Sequence, residues 1–198
     1  MNFKKLLIIV TVNFGALYDN ANAAQDITPQ ALVNAARSQI GKTLRYDPSY
    51  IKLSYPLGDL PLETGVCSDV VIRALRVFGM DLQKEVSESI KKNHASYKHH
   101  LARGVADKNI DHRRVKVLVQ YFTLQGWKKQ TTQYQKGDIL VFDCGHGQWH
   151  IAIVSDKLSL DKKRPLIIHN IGCGTREEDC IAEFPILSCF RLKNKQQS

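Results

Sequence analysis

The sequence lacks internal repeats and low-complexity tracts, so it is not a solenoid, a propeller or a repetitive polymer. No composition break marks a linker, and one domain is the simplest organisation. Past the N-terminal segment, no apolar run is long enough to cross a bilayer. No nucleic-acid-binding motif is present. Acidic residues are the scarcer charge, 19 against 28 Lys and Arg, and the chain carries +9.

What is there begins with a targeting segment. Lys4 and Lys5 make a basic start, Leu6 to Val12 is apolar, and Ala21-Asn22-Ala23 offers the small residues a signal peptidase accepts. Residues 1–23 are read as a cleaved signal peptide, and residues 24–198 as one exported domain, periplasmic or secreted. No cysteine lies near the cut, which argues against a lipid anchor there. Removing Lys4, Lys5 and Asp19 takes +9 to +8. A basic exported protein is drawn to anionic envelope polymers such as cell-wall peptides, and the same charge also serves plain solubility. Nucleic acid is a poor partner for an exported chain.

Five cysteines remain after export: Cys67, Cys144, Cys173, Cys180 and Cys189. An oxidising compartment favours two disulfides among the last four. Three pairings are open, with the short Cys173–Cys180 loop preferred. That leaves Cys67 as an unpaired thiol. It opens the segment Cys67-Ser68-Asp69-Val70-Val71-Ile72-Arg73-Ala74-Leu75, an amphipathic helical run after a turn. A cysteine in the first turn of a helix is expected to ionise easily.

The remaining pattern places helices first and strands later. Thr28-Pro29 starts a helix that runs to Ile40, with Gly41 as its cap, and a loop spans residues 45–65. Residues 81–92 read as a helix and 93–108 as polar loop, and Asp111 caps a helix to about Gln125. Short β-type runs follow at 139–142, 151–154, 166–168 and 184–191. This is an α+β pattern, with N-terminal helices packed on a C-terminal antiparallel sheet.

The blocks Tyr55-Pro56-Leu57-Gly58-Asp59, Gly65-Val66-Cys67-Ser68-Asp69, Gly79-Met80-Asp81-Leu82-Gln83, Asn109-Ile110-Asp111-His112-Arg113-Arg114, Gly137-Asp138-Ile139-Leu140 and His169-Asn170-Ile171-Gly172 carry a resemblance. Together with Trp149-His150-Ile151-Ala152-Ile153-Val154 they resemble the DUF1287 (YijF-like) family within the NlpC/P60 superfamily of papain-like cysteine hydrolases. The resemblance implies a papain-like fold and a Cys-His-His triad. Cys67 matches the nucleophile, His150 the base and His169 the residue that orients the base. Tyr46 matches a tyrosine lying over the nucleophile, the Cys67 N–H serves the oxyanion, and Asn170 shares or replaces the role of His169. Many superfamily members carry Gly immediately before this histidine and two residues after it, where this chain has Trp149 and Ala152. The implied substrate is an amide bond in peptidoglycan peptides, with no cofactor or metal and a monomeric enzyme. A non-catalytic envelope-binding module and a thiol acyltransferase are the alternatives.

The residues themselves support the same chemistry, because a thiol with two later histidines suits acyl transfer through a thioester. His150 is preferred over His146 because it directly precedes the apolar strand, while His146 sits in a Gly-flanked turn. Cys144, His146 and His150 do not form a standard zinc spacing. Arg113 and Arg114 are candidates to hold substrate carboxylates, or else to brace the Cys67 helix. Asp69 and Arg73 stand at the spacing of a helical ion pair, and Asp59 is placed to shape the cleft.

Overall fold

The computed structural model describes residues 27–193, so the expected signal peptide, residues 1–23, lies outside the described residues. Helix α1 (Pro29–Arg37) begins where the sequence dictates: Thr28 Oγ1 accepts the Ala31 N–H at 3.1 Å, and Pro29 needs no partner there. It ends earlier than Ile40, at Ser38, and Gly41 supplies a positive φ in the turn beyond. Strand β1 (Arg45–Tyr46) pairs in parallel with β2 (Thr64–Gly65), a short ladder inside the expected loop. Helix α2 (Cys67–Arg76) follows at once and is buried along almost its whole length. Asp81 caps α3 (Leu82–Lys92) by accepting the Gln83 N–H.

Two expectations fail in the middle of the chain. Residues 93–108 contain a short helix, α4 (His94–Tyr97), and a 3-10 turn at Ala102–Gly104. Tyr97 is fully buried, with its hydroxyl 2.7 Å from Ser89 Oγ, so one large apolar anchor orders a polar stretch. Asp111 does not cap the next helix. Asp111–Arg113 is a separate 3-10 turn, and α5 (Val115–Leu124) starts after Arg114. The Asp111 carboxylate instead accepts the Asp107 N–H at 2.6 Å.

The C-terminal half is the expected antiparallel sheet. Its strands are β3 (Lys128–Lys129), β4 (Ile139–Asp143), β5 (Trp149–Leu158), β6 (Pro165–Asn170), β7 (Thr175–Glu178) and β8 (Ile186–Phe190), in spatial order β3-β8-β4-β5-β6-β7. The strands at the two edges, β3 and β7, are charged and carry no strand signal in the sequence, because the ladder and not apolar alternation holds them extended.

Alternation along the central strands builds two cores. Ile139, Val141, Ile151, Ile153, Ile168 and Phe190 face the helices and join Leu32, Val71, Leu75, Leu118 and Phe122. Leu140, Phe142, Ala152, Val154, Ile167 and Cys189 form the outer face, beneath Tyr134, Ile181 and Phe184. Arg37 fastens α1 to the sheet through Glu177, 2.6 Å away.

Candidate active site

Helix α2 delivers Cys67 to the sheet. Val66, in the N-cap position, has no acceptor in its side chain, so Asp69 supplies the return bond: its Oδ2 accepts the Val66 N–H at 2.7 Å. The same carboxylate takes both prongs of the Arg113 guanidinium at 3.0 Å, and all three groups are buried. Ser68 Oγ donates to the Arg113 carbonyl at 2.7 Å. The first turn of α2 is thus held from two sides. Arg73 does not pair with Asp69. It reaches Asp59 at 3.0 Å, and Arg76 meets the other oxygen of Asp59 at 2.9 Å. Asp59 therefore acts through these arginines, fixing the loop ahead of Cys67.

Beside α2 the sheet ladder opens. Strands β5 and β6 pair at Val154↔Ile167 and Ile153↔Ile168, and the ladder goes no further toward Trp149. The backbone amides of Ile151 and Ser68 act on the Cys67 thiol and favour its thiolate. Beyond the opening, Asn170 Nδ2 bonds the Gly65 carbonyl at 3.0 Å and the Arg45 carbonyl at 3.4 Å. Asn170 ties β6 to the segment before Cys67, and so does not share the role of His169.

His150 immediately precedes Ile151, but alternation turns its ring to the Phe142 face of the sheet, with ring centres 6.0 Å apart. Neither His150 nor His169 lines the groove at Cys67, so the structure does not bring the imidazoles to the sulfur. His150 Nε2 lies 2.8 Å from His169 Nδ1, and the ring planes stand at 71°. His169 Nε2 lies 3.1 Å from Glu178 Oε2 and 3.4 Å from Cys180 Sγ. No hydrogen bond joins Cys67 to either imidazole among the described residues. Sequence reasoning misses Glu178: no motif marks it, since only β6–β7 pairing brings it to His169.

These contacts select the tautomers. A carboxylate only accepts, and an N–H to carboxylate bond outweighs a thiol contact. Glu178 therefore favours a proton on His169 Nε2. The free lone pair on His169 Nδ1 then accepts from His150 Nε2–H, and His150 keeps a lone pair on Nδ1.

Burial, and not the helix terminus, sets the charge of the sulfur. The Cys67 thiol is pushed up to about 12 by burial, against the lowering pull of its two backbone donors. The expectation of an easily ionised thiol is corrected: at 5 % exposure, desolvation outweighs the pull of the backbone amides. Burial likewise pushes His150 down to about 3, with His169 adding to the effect. It lowers His169 as well, while Glu178 pulls the other way. The resting pair is neutral.

Over Cys67 lies a groove of about 320 Å³, lined among others by Tyr46, Pro48, Arg113, Arg114, Lys116 and Trp149. Tyr46 lines this groove together with Cys67 and is 40 % exposed. Arg113 lines the groove but is committed to Asp69. Arg114, 3.5 Å from Asp111 and partly exposed, remains available, and Lys116 caps the Trp149 ring at 5.1 Å.

All five cysteines are free thiols, so the expected disulfides are absent. Cys180 is engaged with His169, Cys189 faces Asp138 at 3.5 Å, and Cys173 is exposed. No helix among the described residues is long and apolar enough to cross a membrane.

The family profile of DUF1287, a domain of unknown function, matches residues 33–192. The chain is 46 % identical over 168 residues to "Uncharacterized protein YijF" of Escherichia coli (strain K12), covering 83 % of this chain and 82 % of that protein. No solved structure matches it.

Proposed function

The chain belongs to the DUF1287 family, and we propose that it is an exported cysteine hydrolase that cleaves an amide bond, on a papain-like NlpC/P60 scaffold. The observation that carries this reading is a buried cysteine in the first turn of α2 under an open groove, with a histidine on the adjoining strand β5 whose Nε2 is 2.8 Å from a second imidazole. We assign these residues as nucleophile, base and orienting group.

The neutral resting state sets the order of steps. Substrate enters the groove and its carbonyl carbon meets Sγ. Attack requires His150 to reach the sulfur, and the thiol proton then passes to its Nδ1 as the C–S bond forms. The His150 cation is stabilised through His169 and Glu178. The backbone N–H of Cys67, in the first turn of α2, serves the oxyanion. The imidazolium then protonates the leaving amine, and water activated by the same ring clears the thioester. Arg114 and Lys116 on the rim suit carboxylates, which fits stem peptides of the cell wall. The excess of basic residues agrees with an anionic polymer as partner.

Digestion of purified muropeptides followed by mass analysis tests the proposal. Wild-type protein should release fragments, and Cys67→Ala should release none while melting at an unchanged temperature. Full activity in Cys67→Ala would refute it. Burial of Cys67 favours one rival, a binding module that keeps the fold without turnover. That rival predicts muropeptide binding with no product from either protein.

A further inference from the structure

On the side of His169 away from His150, three donor atoms of different chemistry converge. His169 Nε2 comes from β6, a Glu178 carboxylate oxygen from the end of β7, and Cys180 Sγ from the loop after it. All three lie within 4.8 Å of one another. Two of the separations are 3.1 and 3.4 Å. Tetrahedral zinc, with bonds of about 2.0–2.3 Å, holds its ligand atoms roughly 3.3–3.8 Å apart. Closing on an ion therefore requires only small adjustments. His169 is 3 % exposed, while Glu178 is partly open, so the cluster is braced at one end and reachable from solvent at the other.

The surroundings are acidic as well. Glu183 acts on both His169 and Cys180, and Asp179 on Cys180. Two arginines oppose them: Arg164 holds Asp179 at 2.8 Å, and Arg176 approaches Oε1 of Glu178 at 3.5 Å, leaving Oε2 turned to the histidine.

We propose that His169, Glu178 and Cys180 form a binding site for a borderline-soft divalent ion such as zinc, and that occupancy switches the candidate triad off. The second half of this statement rests on the function proposed above; the first half does not. On binding, the ion takes the lone pair of His169 Nε2, one Glu178 oxygen and the Cys180 sulfur, whose proton leaves to solvent. The two anionic ligands cancel the charge of the ion, and a water completes the shell.

The ring contacts carry this change to the triad. A metal on His169 Nε2 forces the His169 proton onto Nδ1. That N–H then donates to His150 Nε2, and the His150 proton moves to Nδ1. The base now presents a proton, not a lone pair, on the atom needed to accept the thiol proton. The same histidine contact that supports the triad when Glu178 alone holds His169 opposes it when the ion is bound.

Cobalt(II) added to the full exported chain under a phosphine reductant is the direct probe. One equivalent should give a near-ultraviolet sulfur-to-cobalt charge-transfer band. The band should vanish in Cys180→Ser, persist in Cys67→Ala and Cys144→Ser, and need at least tenfold more metal in Glu178→Gln. Thermal melts of each variant confirm folding. A missing band, or one that survives Cys180→Ser and disappears in Cys67→Ala, overturns the site. Nitrogen-15 spectra of the imidazoles should show the His150 proton moving from Nε2 to Nδ1 on loading with zinc; an unmoved proton overturns the switch. If Cys67→Ala keeps hydrolytic activity while the cobalt band stands, the function is wrong and the metal site is right.

Discussion

Cys67 and Cys173 differ in what surrounds them, and thiol chemistry should report it. Cys67 is 5 % exposed and pushed up to about 12, whereas Cys173 is exposed. At neutral pH an alkylating reagent should label Cys173 first, by at least roughly tenfold, because only the thiolate reacts. Peptide mapping of partly labelled protein reads the order. Faster labelling of Cys67 would mean a sulfur ionised at rest, contrary to proton transfer during attack. The neighbours rank in the same spirit. His150→Ala should lower turnover by about 10²–10⁴-fold, as expected for a general base. His169→Ala should cost less, since an orienting group assists without exchanging the proton itself. Equal losses in rates of muropeptide release would count against the assigned roles.

At the scale of elements, α2 is held at its first turn by the buried Asp69–Arg113 pair. Arg113→Met strands the Asp69 carboxylate in the core and should destabilise the fold by about 3–5 kcal/mol. Arg114 is nearer to solvent but faces the buried Asp111 at 3.5 Å, so Arg114→Ala should cost less than Arg113→Met, about 1–2 kcal/mol. Its functional effect should fall on KM for acidic substrates. Urea unfolding of both variants, set beside their kinetics, separates brace from clamp. A larger stability loss in Arg114→Ala, or none in Arg113→Met, would reverse the assignment.

For the whole molecule, the buried histidines predict acid lability. His112 is pushed down to about 4 and His150 to about 3, both chiefly by burial. Unfolded imidazoles protonate through about 6.5. Below that pH the unfolded chain binds more protons than the native one, so stability is fully present above 6.5 and is lost as pH falls toward 3. Each tenfold difference in proton affinity between the folded and unfolded chain is worth about 1.4 kcal/mol, so the combined loss is on the order of several kcal/mol. Melting temperatures between pH 7 and pH 4 should fall steadily, and His112→Leu should flatten the slope. A melting temperature flat across that range would show the native imidazoles to be protonated.

Local chemistry was readable from the chain alone. Thr28-Pro29 starts α1, Asp81 caps α3, and the apolar runs of β4, β5, β6 and β8 stand where alternation puts them, because capping and side-chain period act over a few residues. Cys67 at the head of a helix was equally plain. Tertiary structure decided what depends on distant partners. Charged β3 and β7 are strands only because neighbours pair with them. Asp69 chose Arg113 over Arg73 because the 3-10 turn at Asp111–Arg113 brings that guanidinium within reach. Burial reversed the expected charge of Cys67, and β6–β7 pairing brought Glu178 to His169. Desolvation and cross-strand contact are set by the packed whole, which no short window of sequence contains.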